Sequence, residues 1–118
     1  MDKEEFIKLI KSEVSESAIE SIVENLIDPP GRKPSPELVA QSEFYKSLSS
    51  ENQEVINKIV SEAVHEAVFG FLCVVDGVRS ISKAGETSNL KLYHANNEQN
   101  TLLNTEQEEY LHDIYNRA

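Results

Sequence analysis

The sequence holds a single cysteine, Cys73, among 118 residues. That excludes an internal disulfide and any zinc cluster or CxxC redox pair built from two thiols. Cys73 sits inside an apolar run and reads as a small buried hydrophobe. Tryptophan is absent, and the four glycines are isolated from one another. No glycine-rich loop is therefore available to cradle a phosphate, and no Gly-x-Ser-x-Gly elbow presents a serine nucleophile. The longest apolar stretch, residues 67–75, is far too short to span a bilayer as a helix. The first five residues lack the basic and apolar regions of a secretory signal, so the expectation is cytoplasmic residence.

Basic residues are also scarce. Eleven Lys and Arg against 21 Asp and Glu give a formal charge of 11 − 21 = −10. The one adjacent basic pair, Arg32-Lys33, falls in a loop. A nucleic-acid or anionic-membrane partner needs a clustered basic face, so neither is expected. An acidic surface suits solubility or docking to a basic protein.

What is present is helical patterning over most of one domain, residues 1–118. Asp2 with Glu5 makes a capping box for a first helix anchored by Phe6, Ile7, Ile10 and Val14. Residues 15–17 read as an interruption, with Ser17 and Glu20 capping a second helix of Ile19, Ile22, Val23, Leu26 and Ile27. Pro29, Pro30 and Gly31 end it. Ser35-Pro36 starts a third helix with a hydroxyl cap and proline at the first position. Its anchors are Leu38, Val39, Phe44, Tyr45 and Leu48.

Ser50 with Gln53 then opens one long helix, about 51–75. In its first half Val55, Ile56, Ile59, Val60 and Ala63 lie mostly on one side, with Lys58, Ser61, Glu62 and His65 opposite. After Glu66 the polar side disappears. A helix apolar all round is buried all round, so Phe69, Leu72 and Cys73 are expected in the core. What covers them is either the C-terminal segment or a second copy of the chain. Asp76-Gly77 ends the helix, and Asp76 and Arg79, which flank Gly77, are expected to pair and hold the turn, with a ligand-facing charged pair as the alternative.

The remainder changes character. Residues 78–82 read as a short strand and 83–88 as loop. Leu90-Lys91-Leu92-Tyr93 alternates as a strand, residues 96–100 turn, and Thr101-Leu102-Leu103 returns. Thr105 with Glu108 makes a capping box for a final helix whose inner face is Tyr110, Leu111, Ile114 and Tyr115. The fold class is thus α+β and mainly α: a helical bundle around the long helix, with a small antiparallel hairpin or meander and a final short helix.

No catalytic residue or cofactor motif emerges. His65 and Cys73 are eight residues apart on one helix, about 12 Å by helical rise, too far for a dyad. One constellation carries the spacing of a metal site. Glu62-x-x-His65 and Glu109-x-x-His112 each place a carboxylate and an imidazole on one helical face, as in di-iron bundles. The same spacing recurs by chance in acidic helices. The leading expectation is a non-enzymatic interaction module of an acidic cytosolic, bacterial-type protein. It would dock to a partner protein, a basic one in the manner of an immunity protein or adaptor. The alternatives are a metal-binding protein or enzyme using Glu62, His65, Glu109 and His112, and a structural homodimer formed through the long helix within a larger complex.

Overall fold

In the computed structural model, residues 1–81, 83 and 89–118 are described. The chain is mainly helical, with a two-stranded antiparallel sheet near the C-terminus and a short final helix. The elements are α1 (Lys3–Ile10), a π-helical segment (Lys11–Glu16), α2 (Ser17–Ile27), α3 (Pro36–Ser47), α4 (Ser50–Val75), β1 (Tyr93–Ala95), β2 (Asn100–Leu102) and α5 (Leu111–Arg117). They group into two compact units. One is Met1–Val14 with Glu66–Ala118; the other is Ser15–His65.

The first unit holds the core. Asp2 caps α1 by accepting from the Glu5 amide at 2.8 Å, as its position predicts. Ile7 from α1, Leu72 and Val75 from α4, and Leu111, Ile114 and Tyr115 from α5 form one buried cluster. Phe6, Ile10, Val68, Phe69 and Leu92 pack against it. Leu72 and Cys73 are buried as expected, Phe69 is half-buried, and α1 and α5 supply the cover. Burial is not complete round the helix, however. Phe71 is 65% exposed, because the cover reaches only the side that carries Leu72 and Val75.

The end of α4 is closed by backbone. Gly77 adopts φ +79°, its amide reaches Val74 O, and the Val78 amide reaches Cys73 O. These two bonds make a Schellman turn, and the left-handed position favours glycine. Residues 78–81 continue as bend and coil, not strand, and Ser82 lies outside the described residues. The expected loop over 83–88 lies outside them too, apart from Lys83. The amides of Val78 and Arg79 are both spent on Cys73 O, so neither is available to a ladder.

The hairpin is shorter than its pattern suggests. Tyr93 pairs with Leu102, His94 with Thr101 and Ala95 with Asn100. Asn96 Oδ1 accepts from the amides of Glu98 and Gln99, fixing the turn as an Asx type. Leu90–Leu92 is not strand, because Asn104 takes over there. Its Oδ1 accepts from the Leu92 amide, and its Nδ2 donates to both Leu90 O and Val75 O, each at 2.8 Å. One side chain thus ties the last carbonyl of α4 to the segment before β1.

The predicted Thr105–Glu108 capping box does not form. Residues 105–110 are turn and coil, and α5 begins at Leu111 with no cap from Tyr110. Two outside groups do that work. Lys3, buried in α1, donates to the carbonyls of Thr105 and Glu109 at 2.8 Å each and holds the segment away from helix. Asp76 accepts the His112 amide at 2.9 Å and so serves α5 as a remote N-cap.

The second unit is built differently. Residues 15–17 do not interrupt the helix; a π-helical turn carries α1 into α2, and Glu16 is helical with no side-chain cap. No proline or glycine is present there to stop propagation. Ser35 caps α3 by accepting from the Leu38 amide, with Pro36 at the first position. The cap of α4 is Ser49, not Ser50: its Oγ accepts from Asn52, and Gln53 is diverted to donate to Tyr45 O. Tyr45 is buried and donates its hydroxyl to Asn57 Oδ1 at 2.9 Å. This polar seam joins α3 to α4, while α2 packs on α3.

Candidate interaction surface and polar cleft

In residues 50–65 the side of α4 that turns inward carries Gln53, Ile56, Asn57, Val60 and Ser61, all half-buried. The Tyr45 contacts select it. Val55 and Ile59, expected inward, are each 55% exposed instead. Phe44 follows the same logic. Tyr45 takes the inward position on α3, and the neighbouring Phe44, about 100° round the helix, faces out at 59% exposure. On α2 no residue is buried, and Ile22 and Ile27 are exposed. Isolated apolar side chains on a surface need no explanation, but five large exposed ones fall on three helices of one 51-residue unit. The same residues, 15–65, carry nine acids and four bases, 4 − 9 = −5.

The first unit offers a polar site. A cleft of about 910 Å³ opens at the C-terminal end of α4, lined among others by Asp76, Arg79, Lys91, Asn104, Thr105 and Tyr110. The Asp76 carboxylate is 1% exposed. It does not pair with Arg79. Its Oδ2 instead takes both the amide and the ring Nδ1 of His112, the latter at 2.7 Å. A carboxylate accepts only, so His112 Nδ1 donates to Asp76. His112 Nε2 lies 3.4 Å from Asp113 Oδ1. The imidazole stacks on Tyr110 at 5.3 Å and meets Phe69 edge-on at 5.6 Å. Arg79 folds back over α4, with its guanidinium against Gly70, where any side chain would intrude. Burial pushes the Cys73 thiol up, and Arg79 opposes that in part.

Of the four residues with metal-ligand spacing, Glu62 and His65 belong to the second unit and Glu109 and His112 to the first. Glu62 is exposed, and His65 Nδ1 lies 3.4 Å from Ser61 Oγ. Glu109 is held by Arg117 through two bonds of 2.9 Å, and that contact draws its carboxyl below the usual range. His112 is held by Asp76. Among the described residues no group of three or more His, Cys, Asp or Glu is placed to hold a metal ion. Also among them, no helix is long and apolar enough to cross a membrane.

The Asp76–His112 contact was missed in sequence because the partners are 36 positions apart. The available signal was an aspartate beside the C′ glycine of the long helix. Comparison with known protein families, with characterised proteins and with solved structures gives no match to this chain. Function rests on its own geometry.

Proposed function

We propose that this chain is a cytosolic, non-enzymatic interaction module that docks a basic amphipathic helix of a partner protein on the uncovered helices of Ser15–His65. The observation that carries this reading is α2. It has apolar residues at helical spacing yet buries none of them. An amphipathic helix gains stability in water when its apolar stripe is covered. Ile22, Ile27, Phe44, Val55 and Ile59 supply the apolar contact. The net charge of −5 on the same 51 residues favours a partner that brings lysine or arginine along its flanks.

The test uses two lysine–leucine peptides of one composition, one amphipathic as a helix and one scrambled. Fluorescence anisotropy should show tighter binding of the amphipathic peptide, weakening as salt rises. Phe44→Ser with Ile59→Ser should remove most of that preference without lowering the melting temperature. Equal affinity for the scrambled peptide would reduce the interaction to bulk charge attraction and sink the proposal.

A second reading is a homodimer through α4, and the exposure of Val55 and Ile59 on that helix favours it. Two copies would each bring the same negative charge, so this association should strengthen with salt. Sedimentation at rising protein concentration separates the two. A dimer lost in Ile59→Glu supports the second reading, and a monomer throughout removes it.

A further inference from the structure

Among the described residues, four side-chain polar atoms are buried without a hydrogen-bond partner: Ser42 Oγ, Asp76 Oδ1, His94 Nδ1 and Thr105 Oγ1. Two of the four, on Asp76 and Thr105, belong to residues lining one cleft, the one at the C-terminal end of α4. A buried polar atom left unpaired costs free energy, and its persistence at a cleft points to a ligand or ordered water that completes it. Asp76 cannot turn to satisfy Oδ1 internally. Its Oδ2 is fixed by two bonds to His112, so Oδ1 keeps a set direction.

The walls are equally fixed. Asn104 spends its whole amide on Leu92, Leu90 and Val75, and Lys3 holds the Thr105 carbonyl. Among the described residues, the charged lining ones are Asp76 and Glu106 against Arg79 and Lys91, two of each sign. In a chain of net charge −10 that balance is local. It argues against a simple cation, which the two bases would repel, and against a simple anion.

We propose that this cleft binds a small zwitterion, whose ammonium donates to Asp76 Oδ1 while its carboxylate is taken by Arg79 and Lys91. An ammonium supplies the donor that the orphaned carboxylate oxygen lacks, and a charge-assisted bond of this kind is short and strong. Arg79 is exposed, and its guanidinium, once swung off Gly70, offers a planar fork suited to a carboxylate. Thr105 Oγ1 can donate or accept and completes the polar wall. The cleft volume exceeds that of one amino acid, so a molecule of two or three residues' size fits. The site lies in the first unit and is independent of the docking surface proposed for the second.

The experiment is an amide-shift titration of the whole chain with triglycine, N-acetyl-triglycine and triglycinamide. Triglycine should cause saturable shifts at residues 76–79 and 104–106. Each end-blocked form should bind about tenfold more weakly, the size of one lost charge-assisted contact. Asp76 also holds α5, so the variants avoid it. Arg79→Gln should weaken triglycine and leave triglycinamide unchanged. Thr105→Val should weaken triglycine and triglycinamide alike. Absence of saturable shifts, or equal binding of the blocked and free peptides, overturns the proposal and leaves the two orphaned oxygens to water.

Discussion

Leu111 and Ile59 are both aliphatic residues at helical spacing, both expected to face inward, yet Leu111 has no exposed surface and Ile59 keeps 55%. The difference lies in what their neighbours offer. Leu111 meets α1 and α4 across a cluster of aliphatic residues and one tyrosine, Tyr115. Ile59 lies on a helix whose inward side is claimed by Gln53 and Asn57, bonded to Tyr45. Hydrogen bonds carry direction and apolar contact does not. In α4 the half-buried polar seam sets the orientation, so Ile56 and Val60 turn inward with it while Val55 and Ile59 are left outside. The first unit is therefore closed round an apolar cluster, with polar ties at its edge. The second is joined by polar contacts and leaves apolar surface available.

Paired truncations would break this contrast if it is wrong. Leu111→Ala should cost about 2–5 kcal/mol, as for a fully buried leucine whose cavity cannot collapse. Ile59→Ala should stay within about 0.5 kcal/mol. Urea unfolding of the two variants is the measurement, and comparable losses would mean that Ile59 is covered in solution, most simply by a second copy. The next effect concerns the lock on α5. Asp76→Ala removes the acceptor of two bonds and should cost about 1–3 kcal/mol. Asp76→Asn keeps an oxygen for the His112 amide and should lose less. Hydrogen exchange should place the extra opening in the α5 amides.

How far these contrasts were readable in sequence depends on the range of the contact involved. Local signals held: Asp2 and Ser35 cap where their positions say, Pro36 opens α3, and Gly77 ends α4. The inner face of α5 held at Leu111, Ile114 and Tyr115. Readings failed where a distant polar partner intervened. Lys3 reaches 102 positions to Thr105 and displaces a sound local capping box. Asn104 bonds Val75, 29 positions back, and delays the hairpin. Tyr45 diverts Gln53 from its capping role and turns Val55 and Ile59 outward. For the candidate sites, the acidic balance was legible. The cleft was not, since it needs Asp76 and Thr105 brought together from separate segments.

Gly70 gives a smaller effect of opposite sign, and it sharpens the view that the first unit tolerates change at its polar edge. A Cβ built there meets Arg79 Nη1 at 2.6 Å. The obstacle is the far end of a flexible side chain, and Arg79 is exposed. Alanine is favoured over glycine inside a helix by up to about 1 kcal/mol. Gly70→Ala should therefore stabilise the chain slightly while displacing the guanidinium, and the Arg79 side-chain resonances should shift.

The smallest expected effect is on the surface of the first unit. Arg117 bridges Glu109 and Glu4, and its hydrogen bonds hold the Glu109 carboxyl below its ordinary value. A depressed carboxylate contributes stability that is fully present above its unfolded pKa and lost as pH falls through the folded one. The window is therefore the acid side of the usual carboxylate range. Both partners are well exposed, so solvent and salt screen most of the interaction. Wild type and Glu109→Gln should have melting temperatures that differ slightly at neutral pH and converge on acidification. Added salt should narrow the gap at neutral pH. A gap that persists in acid would assign the effect of Glu109 to packing and not to its charge.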